Sequence, residues 1–65
     1  MLNNRGMTVK DRLSEDIAYV ESIKDREQKK ILSAKALGAA DLAVEFNLIT
    51  YKEWNKLTHR IFLIL

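Results

Sequence analysis

Few residues of this chain could carry out proton chemistry. His59 is its one histidine, and histidine is the side chain whose pKa lies closest to neutrality. Asp41 and Glu45 are one helical turn apart, and paired carboxylates can share a proton or hold a cation. We interpret all three as solvent-exposed residues of helices. With no cysteine and no motif of a nucleophile, a phosphate loop or a metal site, the sequence predicts a protein that is not an enzyme and binds no cofactor or metal.

A basic segment, KDREQKKILSAK (residues 24–35), carries five lysine or arginine side chains. Such a cluster can contact phosphates or an acidic protein. Asp25 and Glu27 dilute its charge, and the whole chain has a net charge of only +2. The segment is therefore typical of a solvated connection, and the chain lacks the dense basic patch of a strong phosphate binder.

The segment LAVEFNLITYKEWNKL, in the second half of the chain, joins two predicted helices through a short turn. Ala43, Asn47 and Leu48 stand where the helix-turn-helix motif has a small residue, a turn residue and an apolar residue, so the segment partly resembles that motif. The motif next requires apolar residues at two positions that are Glu53 and Lys56 here. The apolar residues come one position later, so the resemblance fails in register.

DNA binding is the alternative function that this resemblance implies, through a degenerate helix-turn-helix around residues 43–60. The second helix of the motif presents hydrogen-bond donors to the edges of bases. The donors available here are Lys52, Asn55, Lys56 and Arg60.

Length and composition restrict the fold further. A chain of 65 residues forms one domain at most and buries only about 60% of the surface that its unfolded form exposes. Without cysteine, neither a disulfide nor a thiolate metal site can support so small a core, which leaves oligomerisation or a partner protein. No apolar run approaches the roughly 18 residues of a membrane span, and no apolar signal region follows Arg5, so a cytoplasmic location is expected.

Helices are the only regular structure that the pattern favours. Residues 1–7 are expected to form a flexible leader, with Met7 as an alternative start, and residues 8–65 a single helical domain. The chain has no proline, no hairpin dipeptide and no alternation of period two. Thr8 and Asp11 approximate a capping box at the first helix. The apolar face of that helix consists of Val9, Leu13, Ile17 and Val20.

The polar run KDREQKK (residues 24–30) leaves two alternatives open. Asp25 or Gln28 can cap a new helix after a turn near Lys24–Arg26. Nothing in the run breaks a helix, however, and Asp25 with Lys29 is a favourable pair within one continuous helix. The chain therefore contains two or three helices.

The next helical segment, from about Glu27 to Phe46, has apolar residues on two faces. One face consists of Leu32, Ala36, Ala39, Ala43 and Phe46. The other, rotated by about 100°, consists of Leu37, Ala40 and Val44. Gly38 costs about 1 kcal/mol relative to alanine, which indicates a packing reason such as the close approach of another backbone. Either the second face packs against another chain, or the segment is the central helix of a three-helix core.

The stretch NLITYKEW contains the clearest local signals. Asn47 can adopt the left-handed conformation that ends a helix, and Thr50 with Glu53 forms a capping box for the next one. The chain ends in IFLIL, which is apolar all round, so its burial against a sister chain or a partner is expected. The apolar face of this last helix consists of Trp54, Leu57, Ile61 and Leu65.

Together these features predict an all-α protein, a small antiparallel bundle of two or three helices that oligomerisation completes. Its predicted function is that of a protein-interaction module, a regulator or inhibitor that binds a larger protein through apolar helix faces and self-associates. No small-molecule substrate is expected. Trp54 and Phe62 would be the aromatic anchors. The predicted interface consists of Leu37, Ala40, Val44, Trp54, Phe62 and Leu65.

Overall fold

Three α-helices make up most of residues 7–65, the part of the chain that the computed structural model describes. Helix α1 spans Val9–Glu21, α2 spans Arg26–Glu45 and α3 spans Tyr51–Ile64. The expected all-α class is therefore confirmed, with three helices. Except for Met7, the predicted leader lies outside the described residues. Within those residues, no helix combines the length and the apolar character that crossing a membrane requires.

Both predicted capping boxes are present. The Thr8 hydroxyl accepts from the backbone N–H of Asp11 at 3.2 Å, and the Asp11 carboxylate accepts from the N–H of Thr8 at 3.3 Å. Thr50 and Glu53 exchange the same pair of bonds at 3.1 and 2.9 Å. These bonds satisfy N–H groups that the first turn of a helix leaves without a partner, so they fix where α1 and α3 begin.

The capping box of α1 makes its carboxylate a pH-dependent element of the fold. The hydrogen bond from the Thr8 N–H holds the pKa of Asp11 below its ordinary value of 3.8, because the bond favours the charged carboxylate. The folded-state pKa is lower than the unfolded one. The resulting contribution to stability is therefore present at neutral pH and is lost as the pH falls through the lowered pKa.

Residues 22–25 form a turn between α1 and α2, so the alternative of one continuous helix is wrong. Asp25 caps α2 by accepting from the N–H of Glu27 at 3.1 Å. At the other end of α2, Asn47 has a φ of 60°, the left-handed conformation that the sequence predicted. The N–H of Leu48 then bonds to the carbonyl of Ala43 at 2.8 Å, which closes the helix end.

Helix α2 runs antiparallel to α1 and α3, which are parallel to each other. Lys10 at the start of α1 and Glu53 at the start of α3 line the same groove. Trp54, also near the start of α3, bonds to Asp41 near the end of α2. The short turns between consecutive helices therefore give an up-down-up three-helix bundle.

The core lies between the three helices and is made of small and branched side chains. Ile17, Ala40 and Ile61 are almost completely buried, at 1%, 0% and 0% exposure. Four small residues of α2, Ser33, Ala36, Ala40 and Ala43, supply the middle of this core, and their small size lets the neighbouring helices approach closely. The buried apolar residues are Leu13, Ile17, Val20, Ala36, Ala40, Ala43, Ile49, Leu57 and Ile61.

The membership of the two predicted faces of α2 is wrong. Ala36, Ala40 and Ala43 lie together on one buried stripe, whereas the sequence had divided them between two faces. Ala39 and Phe46, assigned to the first face, are exposed. Alanine gives a weak signal in this helix because three of its alanines are buried and two, Ala34 and Ala39, are exposed. The direction of the buried face was therefore predicted wrongly.

Candidate interaction surfaces

Four of the six predicted interface residues lie in or against the chain's own core. Ala40 is fully buried, so it presents no surface to a partner in this fold. Leu37, Val44 and Trp54 are partly buried and pack against the core cluster. Any contact that these three make with another protein would use only their outer edges.

The other two predicted residues are exposed at the end of α3. Phe62 and Leu65 are 59% and 55% exposed, and Leu63 between them is 74% exposed. We call these three residues the α3 end surface. Only Ile61 of the terminal apolar run is fully buried within the chain, and the half-buried Ile64 packs against the core. Contact of this surface with a partner stays a prediction.

A second exposed apolar surface runs along the solvent side of α2, and the sequence analysis missed it. Its large members, Ile31, Leu42 and Phe46, are 54%, 55% and 69% exposed. On a helical wheel, its centre lies about 160° from the centre of the buried stripe, so α2 does have two apolar faces. The spacing of three and four residues was the available signal. We call this surface the outer α2 face: Ile31, Ala34, Gly38, Leu42 and Phe46. By helical angle, the exposed charges of Lys35 and Glu45 lie among these residues.

Gly38 stands at the middle of the outer α2 face. A methyl group at this position would meet no side chain and no neighbouring helix within 4 Å. The fold of the single chain therefore gives no packing reason for glycine. Glycine in the interior of a helix nevertheless costs about 1 kcal/mol relative to alanine.

Trp54, the first predicted aromatic anchor, connects α3 to the end of α2. Its indole Nε1 donates to the Asp41 carboxylate at 2.8 Å. Its ring meets Tyr51 edge to face, with centroids 5.6 Å apart and planes at 86°. These residues line an open groove of about 490 Å³ together with Val44 and Glu45. Trp54 is therefore positioned by contacts within its own chain, and its groove is open to solvent.

A groove of about 520 Å³ between α1 and α3 collects most of the residues predicted to contact nucleic acid. Asp11 and Glu53 also line it, but their carboxylates are engaged in the capping boxes. Asn55 is exposed but does not line the groove. The basic side chains along the groove are Lys10, Lys52, Lys56 and Arg60.

Arg60 differs from the lysines because α1 holds its guanidinium. Nη2 and Nε donate to the two carboxylate oxygens of Glu21 at 3.1 and 3.4 Å, and Nη1 donates to the Ser14 hydroxyl at 2.8 Å. The Arg60 side chain is 33% exposed. Its donors are thus used to join α3 to α1. The Lys10 ammonium lies 3.7 Å from the Asp11 carboxylate, so Lys52 and Lys56 carry the freer charges of the groove.

Replacing Arg60 with methionine should lower the free energy of unfolding by about 1 kcal/mol, because three hydrogen bonds between α1 and α3 are lost from a partly exposed site. Urea denaturation followed by circular dichroism measures this change. Lys56→Met on the same helix is the matched control and should change the free energy by less than about 0.5 kcal/mol. Equal effects of the two substitutions would show that the bonds of Arg60 contribute nothing.

His59 does not join the two carboxylates considered for proton chemistry, which line the groove beside Trp54. His59 is exposed on α3. Asp41 accepts from Trp54, and Glu45 is exposed one turn later. Within residues 7–65, no group of three or more histidine or acidic side chains is arranged to hold a metal ion. The surfaces described above are therefore the strongest candidates for a functional site.

The fold and its surfaces can also be compared with known proteins. No protein-family model matches the chain, and no curated protein and no solved structure shows significant similarity to it.

Proposed function

We propose that this protein is a small, non-enzymatic interaction module of the cytoplasm that self-associates and binds a larger protein, whose activity it regulates or inhibits. The observation that carries this proposal is the exposure of large apolar side chains on two separate surfaces, the outer α2 face and the α3 end surface. Contiguous apolar surface with a polar rim is typical of protein–protein contact sites.

We assign the α3 end surface to the larger partner. Phe62 supplies an aromatic anchor of the kind that dominates the binding energy of interfaces. A groove beside this surface is lined by Ile64, Leu65 and four charged side chains at the start of α2. Three of these are basic, Arg26, Lys29 and Lys30, and one is acidic, Glu27. The complementary site is therefore an apolar pocket with an acidic rim.

Phe62→Asp should abolish capture of the larger protein, because a charge replaces the anchor at the centre of the contact. Immobilised wild-type protein is incubated with host extract, and the retained proteins are identified by mass spectrometry. Asn55→Asp introduces the same charge at another exposed position of α3 and should retain the partner.

Circular dichroism establishes that both variants are folded. Either of two results would contradict the assignment of this surface. In the first, wild type and Phe62→Asp retain the same proteins. In the second, the wild type retains no protein.

The groove between α1 and α3 favours DNA as a second candidate partner, because three lysines and Arg60 lie along it with two carboxylates. For this candidate, the affinity for a DNA duplex falls steeply between low and moderate salt and is lost in Lys52→Ala/Lys56→Ala. Fluorescence anisotropy of a labelled duplex measures both effects. Absence of binding at low salt, or binding that the two substitutions leave unchanged, rules this candidate out.

A further inference from the structure

We infer that the outer α2 face binds the same face of a second copy of this chain, with the two α2 helices antiparallel. This inference rests on the self-association in the proposed function and adds to it the surface and the orientation. A twofold dimer of this kind places one patch against itself, so the patch must be complementary to its own inverted copy.

Gly38 gives the first argument for a helix as the occupant. The folded chain has no packing reason for glycine there, since a methyl group would meet nothing within 4 Å. A second helix that crosses at Gly38 provides the reason, because the missing side chain lets the two backbones approach closely. Ile31 and Leu42 flank the crossing point and supply apolar contact on both sides of it.

The charge distribution along α2 selects the second copy and the antiparallel orientation. The first half, Arg26–Lys35, carries four basic residues and one acidic residue, and the second half, Ala36–Glu45, carries two acidic residues and no basic one. An antiparallel pair places the basic half of each helix against the acidic half of the other. The antiparallel pair also places the two helix dipoles in opposite directions, which is the favourable arrangement. A parallel pair instead places like charges and like helix ends together.

The register centred on Gly38 matches individual residues as well. Lys30 lies about 12 Å before Gly38 along the helix axis, and Glu45 about 10 Å after it. By helical angle, both are displaced from Gly38 in the same direction, Glu45 by about 20° and Lys30 by about 80°. The long side chain of Lys30 in one copy therefore reaches Glu45 of the other, twice by symmetry. In the same register, the small Ala34 stands opposite the large Leu42, which allows their side chains to interdigitate.

Sedimentation of the full chain over a range of concentrations tests the inference. Leu42→Asp should raise the dimer dissociation constant at least about 100-fold, because it buries a charge in the apolar contact beside the crossing. Ala18→Asp introduces the same charge at an exposed position of α1 and should leave the dissociation constant unchanged.

Gly38→Ala tests whether Gly38 acts at the dimer interface or only within its own helix. At concentrations where the chain is monomeric, alanine should raise the midpoint of thermal unfolding, because it is the better helix former. At higher concentrations it should weaken dimerisation about tenfold, because the added methyl group keeps the helices apart. A raised midpoint with unchanged dimerisation would overturn the interface role of Gly38.

Charge reversal tests the orientation. Lys30→Glu and Glu45→Lys should each weaken the dimer, by about threefold, and the double variant should restore it. A double variant as weak as the single ones excludes the antiparallel register.

Self-association that Phe62→Asp abolishes and Leu42→Asp leaves intact would overturn this inference while leaving the proposed self-association in place. A chain that stays monomeric at every concentration overturns both. Capture of the larger protein through Phe62 is measured separately and can succeed in either case.

Discussion

Ile61→Ala should lower the free energy of unfolding by about 2–5 kcal/mol, which is comparable to the whole stability of a domain of this size. Ile61 is fully buried in α3 and belongs to the core cluster with Ile17 of α1 and Ala43 of α2. Removing three carbon atoms leaves a cavity that the small side chains around it cannot fill. The expected result is a chain that is largely unfolded near physiological temperature.

Thermal unfolding followed by circular dichroism, at a concentration low enough to keep the chain monomeric, measures this loss. Phe62→Ala is the control, since Phe62 is the next residue in the sequence and is 59% exposed. Its removal should change the stability of the monomer by less than about 1 kcal/mol. If the two variants lost similar amounts of stability, Ile61 and Phe62 would be similarly buried. Helix α3 would then be rotated from the orientation described.

Ala40→Leu has the second-largest expected effect on stability, a loss of about 1–3 kcal/mol or more. Ala40 has no exposed surface and lies on the buried stripe of α2 between Ala36 and Ala43. A leucine there must push a neighbouring helix away or adopt a strained rotamer, because the small side chains of α2 set the spacing of the bundle.

Ala39→Leu provides the comparison, because Ala39 is exposed one residue earlier in the same helix. This variant should keep the stability of the wild type within about 0.5 kcal/mol in urea denaturation. The two substitutions add the same atoms to the same helix. Any difference in their stability therefore comes from the difference in burial of the two positions. If Ala40→Leu left the monomer as stable as Ala39→Leu and changed only its association, Ala40 would belong to an interface, as the sequence predicted.

The local features of the fold were predictable from the sequence because they depend on residues close together in it. Thr50 with Glu53 and the left-handed Asn47 each act within a few residues, so the capping box and the helix end are readable directly. The turn after α1 was less certain in the sequence, because Asp25 can serve either as a cap or as a member of a helical charge pair.

Which residues of α2 face the core was not predictable in the same way. Its stripes are built from alanine, glycine and a few larger residues, so small errors in the assumed centre move a residue from one face to another. Trp54 with Asp41 and Arg60 with Glu21 were also missed as pairs. Both join residues of different helices, and their contact depends on the packing of the whole bundle.

The parallel arrangement of α1 and α3 has a practical consequence for how the protein is handled. The start of α1 and the end of α3 lie at opposite ends of the bundle. An affinity tag or fluorescent domain attached ahead of Met7 is joined at the end of the bundle far from Phe62. The same addition placed after Leu65 crowds the neighbouring Phe62 and Leu63, so amino-terminal fusions are the ones suited to screening for binding proteins.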